Sequence, residues 1–291
     1  MKKLVSSVLV LCMIAVALAG CGNKSTETTK ATEATASTES AVSTEAVSET
    51  QAAEGEAATV QVYIAASLSN AMDEISVNYK SVQPNVDLVF NAGSSGKLQT
   101  QIEEGGACDV FFSAATKQMD ALVEGGFVQE ADVTDLLENK VQLIKPAGTE
   151  TKVTGFENIT DAANLALAAD TVPVGQYARE IFDNLGITDQ VMAMEINECE
   201  DVSAVLAAVS EGSNEVGIVY ATDAASVADK VEVIATANDT ELKSKVIYPV
   251  GLVKNTEADD AETAAAKAFV DYLKTPEAAA VFERYGFSCI N

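Results

Sequence analysis

Three patterns of apolar and polar residues follow one another along this chain. Residues 4–19 form one short apolar run behind Lys2 and Lys3, and residues 22–58 are Thr, Ser, Ala and Glu with no aromatic residue. From residue 59 onward, compact apolar runs with strand character alternate with longer stretches whose apolar positions recur every three or four residues. Strands are predicted at 59–65, 86–91, 110–113, 141–145, 165–168, 216–220 and 246–253. Helices are predicted at 69–79, 97–104, 176–185, 202–210, 261–274 and 276–285. Continuous apolar strands separated by amphipathic helices imply sheets covered on both faces, an α/β class. The 233 residues from 59 to 291 exceed what one sheet needs, so two lobes are expected.

The apolar run is too short for a membrane span, and it closes in Leu18-Ala19-Gly20-Cys21, small residues leading into a cysteine. This is the pattern of a secretory signal peptide, residues 1–20, with a lipidation site at Cys21. Two acyl chains on that sulfur, at ~0.8 kcal/mol per buried CH₂, make a stable membrane anchor. Residues 21–58 then read as the lipidated cysteine and a disordered linker, too poor in apolar residues to offset its ordering entropy. As a flexible coil it spans on the order of 30 Å, enough to free a folded domain from the lipid surface.

Charge narrows the partners. The chain carries −26 overall and about −23 on residues 59–291, which excludes DNA, RNA and anionic lipid as surfaces to bind. Beyond residue 58 the cysteines are Cys108, Cys199 and Cys289, without CxxC spacing, and the chain has no histidine. That pattern argues against structural zinc and allows at most one intramolecular disulfide. Cys108, beside Val110 and Phe111, reads as a small core residue.

The candidate chemistry lies in four turns that follow apolar strands and open helices with small residues. They are Ala65-Ala66-Ser67-Leu68, Gly93-Ser94-Ser95-Gly96, Pro173-Val174-Gly175-Gln176 and Glu200-Asp201-Val202-Ser203. A helix N-terminus leaves backbone N–H groups unpaired at the positive end of the peptide dipoles, so it can hold an anion without a charged side chain. Two turns precede residue 140 and two follow it, which places one pair on each lobe, at the carboxyl ends of strands and facing a cleft. Taken singly, Ser67 and Ser95 are ordinary N-caps, Val174 and Val202 helix starts, and Tyr220 a core-edge aromatic. Their ordered combination carries the functional reading.

That combination resembles the periplasmic molybdate-binding proteins of ABC importers. The resemblance lies in residues 65–115, with Ala65-Ala66-Ser67-Leu68-Ser69-Asn70-Ala71-Met72 and Gly93-Ser94-Ser95-Gly96-Lys97-Leu98, and in Cys108-Asp109-Val110-Phe111-Phe112-Ser113-Ala114. It continues through residues 172–179, 200–202, Gly217-Ile218-Val219-Tyr220-Ala221-Thr222-Asp223 and Tyr248-Pro249-Val250, in order over essentially all of 59–291. The resemblance implies a two-lobed type II periplasmic-binding-protein fold with two crossover hinge strands, passing over near 139–145 and returning near 247–251. Lobe I would comprise 59–138 and 249–291, and lobe II 139–248. It implies a molybdate site of Ser67 and Ser95 through hydroxyl and N–H, Val174 and Val202 through the main chain, and Tyr220 through its phenol, with Ser94 an alternative to Ser95. It further implies a monomer outside the cytoplasm that delivers its ligand to a permease and its ATPase, with no cofactor.

A site of N–H and O–H donors suits a fully deprotonated tetrahedral dianion, whose oxygens only accept. Molybdate and tungstate fit. Sulfate has the same charge and shape in a smaller size, and a receptor of the same fold for sulfate or thiosulfate is the alternative. Catalysis by Ser67 or Ser95 lacks a histidine for a triad and a Ser-x-x-Lys pattern at either serine. Lys97 and Arg179 are expected to matter little to the site.

Overall fold

The computed structural model describes residues 57–290, so the signal peptide, Cys21 and nearly all of the linker lie outside the described residues. The order opens with β1 (Ala58–Ala65), α1 (Ser69–Val82), β2 (Val86–Gly93), α2 (Ser95–Glu103), β3 (Val110–Phe112), α3 (Thr116–Glu124) and β4 (Val128–Asn139). It continues with β5 (Val141–Pro146), β6 (Leu165–Ala168), α4 (Pro173–Leu185), α5 (Thr188–Met192), β7 (Ile196–Cys199), α6 (Val202–Ser210), β8 (Val216–Tyr220), α7 (Ala221–Ser226) and β9 (Val231–Thr236). β10 (Val246–Val253), α8 (Asp260–Leu273), α9 (Pro276–Arg284) and β11 (Ser288–Cys289) close the chain.

These strands form two sheets, a six-stranded one ordered β11-β4-β10-β3-β1-β2 and a five-stranded one ordered β7-β6-β8-β5-β9. β1 runs parallel to β2 and β3, with Val62 opposite Val110, while β10 lies antiparallel to β3 with Val250 opposite Phe112. In the second sheet β6 is parallel to β7 and β8, and β5 is antiparallel to β8 and β9. The chain leaves the first sheet at Asn139 and enters the second at Val141, so one residue, Lys140, makes the first crossing. Residues 237–245 make the return, and Val246 already pairs with Asn139. This is the two-lobed α/β architecture expected from the sequence.

Helix ends follow local chemistry. α4 begins at a proline, whose missing N–H is one the first turn would leave unpaired, and stops at Gly186 in the left-handed region (φ 69°). Asp259 and Thr275 cap α8 and α9 by accepting from Glu262 and Ala278 N–H groups. In α1 the buried Ala71, Met72, Ile75 and Tyr79 form one stripe against the first sheet. One contiguous core runs through both lobes, and a smaller cluster around Leu98, Ile102, Phe111 and Met119 packs apart from it. The aromatic rings of Tyr220 and Tyr248, one from each lobe, meet edge to face at 5.7 Å.

Several elements escape the apolar pattern: α3, β4, α5, β7, α7, β9 and β11. β4 is the instructive one, since its sequence VQEADVTDLLEN buries Val128, leaves residues 129–135 exposed or half-buried, and buries its chain again from Leu136. Cys108, Cys199 and Cys289 are all free thiols, and burial pushes the pKa of each upward. No helix among the described residues is long and apolar enough to cross a membrane.

Candidate anion-binding site

The strand ends of both lobes converge on one small cavity. The first lobe contributes Ala65 at the end of β1, Ala66 and Ser67 after it, Gly93 at the end of β2, Ser94 and Ser95 at the start of α2, and Ala114 after β3. The second contributes Val172 and Pro173 at the start of α4, Asp201 and Val202 at the start of α6, and Tyr220 at the end of β8. Four of the five expected residues, Ser67, Ser95, Val202 and Tyr220, therefore line one space. Val174 is the second residue of α4, behind the lining Pro173, and does not line the cavity itself. Because Pro173 has no N–H, the first donors of that helix belong to Val174 and Gly175.

The two serines of the second turn play different parts. Ser94 is the N-cap of α2, its hydroxyl accepting from the Lys97 N–H at 3.3 Å. Ser95, fully buried, accepts the Ala114 N–H at 3.0 Å, which occupies its oxygen and leaves its own proton to point elsewhere. Ser67 lies in a short 3₁₀ turn, Ala66–Leu68, ahead of α1 and caps nothing. Its Oγ lies 2.9 Å from the Tyr248 hydroxyl. Tyr220 is 2% exposed, and its hydroxyl has no partner among the described residues, a costly state for a buried polar group unless a ligand completes it. Burial, followed by the neighbouring Tyr248, holds that phenol well above its usual pKa, so it is a donor at any physiological pH.

Among the described residues, no lysine or arginine lines the cavity. Arg179 is tied to the carbonyls of Ala168 and Gly175 at 2.9 and 2.8 Å, where it ends β6 and braces the first turn of α4. Lys97 pairs with Glu200 at 2.7 Å across the cleft, both side chains more than half exposed. That contact lowers the Glu200 pKa but is worth little in solvent. Asp201 is a carboxylate in the lining that was not expected there. Its Oδ1 accepts the Ala204 N–H at 2.9 Å as the cap of α6, which spends part of its acceptor capacity on the helix.

Glycines set how closely the walls approach. A Cβ on Gly96, in the first turn of α2, would stand 2.1 Å from the Thr171 carbonyl oxygen of the other lobe. A Cβ on Gly175 would stand 2.2 Å from the Ala169 carbonyl oxygen. Only glycine lets α2 meet the second lobe and α4 start this close to β6.

Behind the site lies Asp223, a buried carboxylate that accepts the Tyr220 N–H at 3.2 Å. Burial is the main cause that raises its pKa to about 7, opposed by that hydrogen bond and assisted by Asp201. A free aspartate titrates near 4, so between about pH 4 and 7 the folded state holds a proton the unfolded state has lost. Stability from this group is therefore present below about pH 4 and lost as pH rises to about 7. Asp223→Asn keeps an acceptor for Tyr220 and should gain melting temperature relative to the parent as pH rises from 5 to 8 in ligand-free buffer. A constant difference across that range would show that Asp223 does not titrate there.

Comparison with known proteins agrees with the fold. Residues 60–288 match the family described as bacterial extracellular solute-binding protein. YvgL of Bacillus subtilis, provisionally named an ABC transporter substrate-binding lipoprotein, is 37% identical over 231 residues, 79% of this chain and 86% of its own. Molybdate-binding protein ModA of Escherichia coli is 36% identical over 244 residues, covering 81% of this chain and 91% of its own. The solved periplasmic molybdate-binding protein of Azotobacter vinelandii aligns with a TM-score of 0.68 at 20% identity, over 80% of this chain and 100% of its own, a likeness of fold. By its two-lobed fold, its interlobe cavity and a match over residues 60–288, the chain belongs to the bacterial extracellular solute-binding proteins.

Proposed function

We propose that this protein captures molybdate, and tungstate as well, in the interlobe cavity and delivers it to the permease and ATPase of an ABC importer. The observation that carries the reading is the set of hydroxyls around one space: Tyr220 Oη without a partner among the described residues and Ser95 Oγ, which accepts the Ala114 N–H and keeps its own proton to donate. Joined by the N–H groups that open α2, α4 and α6, they make a donor-rich wall for an anion that only accepts. ModA, at 36% identity, is named for molybdate, which supports that ligand. The site binds and does no chemistry on its ligand. Residues 58–139 and 246–289 form one lobe and 141–236 the other, hinging at Lys140 and 237–245. Lipid attachment at Cys21, with the domain held outside the cell on its linker, is part of the proposal, and YvgL is itself named a lipoprotein.

Titration calorimetry with molybdate tests the reading. A phenol bonded to a dianion contributes about 1.5–3 kcal/mol, so Tyr220→Phe should weaken molybdate about tenfold or more. The ring contacts to Tyr177 and Tyr248 persist in that variant, and the ligand-free melting temperature should stay the same or rise, because a buried unpartnered hydroxyl has been removed. Unchanged molybdate affinity would remove Tyr220 from the site.

A further inference from the structure

Hydrogen-bond accounting behind Ser67 fixes the direction of that hydroxyl. Asn139, the last residue of β4 at the crossing between lobes, receives the Lys140 N–H on its Oδ1 at 2.8 Å. This settles which end of the amide is oxygen, and Nδ2 faces the other way. Both its hydrogens are used, one toward Thr222 Oγ1 at 3.0 Å and one toward Tyr248 Oη at 3.2 Å. Tyr248 therefore accepts from Asn139, and its single proton is free for Ser67 Oγ, 2.9 Å away. Ser67 then accepts from Tyr248, and its own proton is left for the cavity. Tyr248 is fully buried and Asn139 nearly so, so water does not compete for these positions.

We propose that Asn139 and Tyr248 are positioning residues that orient Ser67 as a donor, so that its side of the cavity favours an anion oxygen without a proton. This rests on the reading that the cavity holds a tetrahedral oxyanion. Phosphate keeps a proton at neutral pH and needs an acceptor where it meets the wall. A serine free to turn offers either lone pair to that proton; Ser67, with one lone pair held by Tyr248, turns its proton toward the cavity instead. The relay rejects by protonation state, a criterion distinct from ion size.

The test compares affinities of the full chain for molybdate and inorganic phosphate at pH 7 by calorimetry, with phosphate measured in competition. Tyr248→Phe removes the proton that Ser67 accepts and adds no charge. Molybdate should weaken while phosphate holds or improves, lowering the molybdate-to-phosphate ratio several-fold. Asn139→Asp should lower it further, because a carboxylate takes the Tyr248 proton, Tyr248 then accepts from Ser67, and Ser67 turns its lone pairs to the cavity. A role in packing alone would weaken both anions by one factor and leave the ratio unchanged in Tyr248→Phe, which overturns the relay. Should Asn139→Asp not fold, Tyr248→Phe decides by itself. A parent chain that binds neither anion overturns the ligand reading, and the relay with it, whereas a parent that binds molybdate beside an unchanged ratio overturns the relay alone.

Discussion

Molybdate and tungstate should bind at least about a hundredfold more tightly than sulfate, a gap of about 2.7 kcal/mol. All three are tetrahedral dianions at neutral pH, so charge does not separate them. Size does, because the donors sit on rigid elements: Ser67 and Ser95 at strand ends of one lobe, the first turns of α4 and α6 and Tyr220 on the other. Charge-assisted bonds to such oxygens are best near 2.7–2.9 Å, and an ion with shorter bonds cannot reach both walls at those lengths. Losing one or two bonds of about 1.5–3 kcal/mol each accounts for the hundredfold. Close approach of the lobes to take up the slack is opposed where Gly96 already meets Thr171. Competition calorimetry at fixed ionic strength measures the ratio. Equal affinities would move the protein to the general sulfate receptors.

Phe112→Ala should destabilise the ligand-free protein by about 3–5 kcal/mol, the largest single effect expected of a side chain far from the ligand. Phe112 is fully buried on β3, between β1 and β10, and meets Phe282 of α9 edge to face at 6.0 Å. Alanine there removes the ring and leaves a space that two paired strands are not free to fill. For a domain of this size the melting temperature should fall by roughly 10 °C in scanning calorimetry. Ala114, two residues on, still presents its N–H to Ser95, so molybdate affinity should change far less than stability. A drop of under 1 kcal/mol would show that the core closes over the gap.

The first layer of the site was legible in the sequence because each wall is a local event. A strand end followed by small residues and a helix start is visible within ten residues, and four such turns mark both lobes. What lies behind that layer was not legible. Ser67 meets Tyr248 across 181 positions, and Asn139 meets Tyr248 across 109, so no window of sequence holds either pair. Ser95 could not be given the N–H it accepts before β3 was known to bring Ala114 to it. Asp201 was read only as part of a helix start, and its presence in the lining appears once α6 is placed against the cleft. Among the missed elements, β7 is a four-residue edge strand and β9 a six-residue edge strand that buries Val231 and leaves the rest exposed or half-buried, so neither shows a clear apolar period. The paired contribution of neighbouring strands makes them strands.

Gly96 separates two demands that are usually merged in one residue. Its backbone is ordinary helix, so α2 by itself would accept any side chain at that place, and the obstacle to a Cβ is the Thr171 carbonyl on the opposite lobe. Selection at this position therefore acts on the closed state of the receptor and not on its folding. A chain with a larger residue there would still fold, yet its lobes would stay ajar, and on the proposed function the failure would show in ligand binding rather than in abundance.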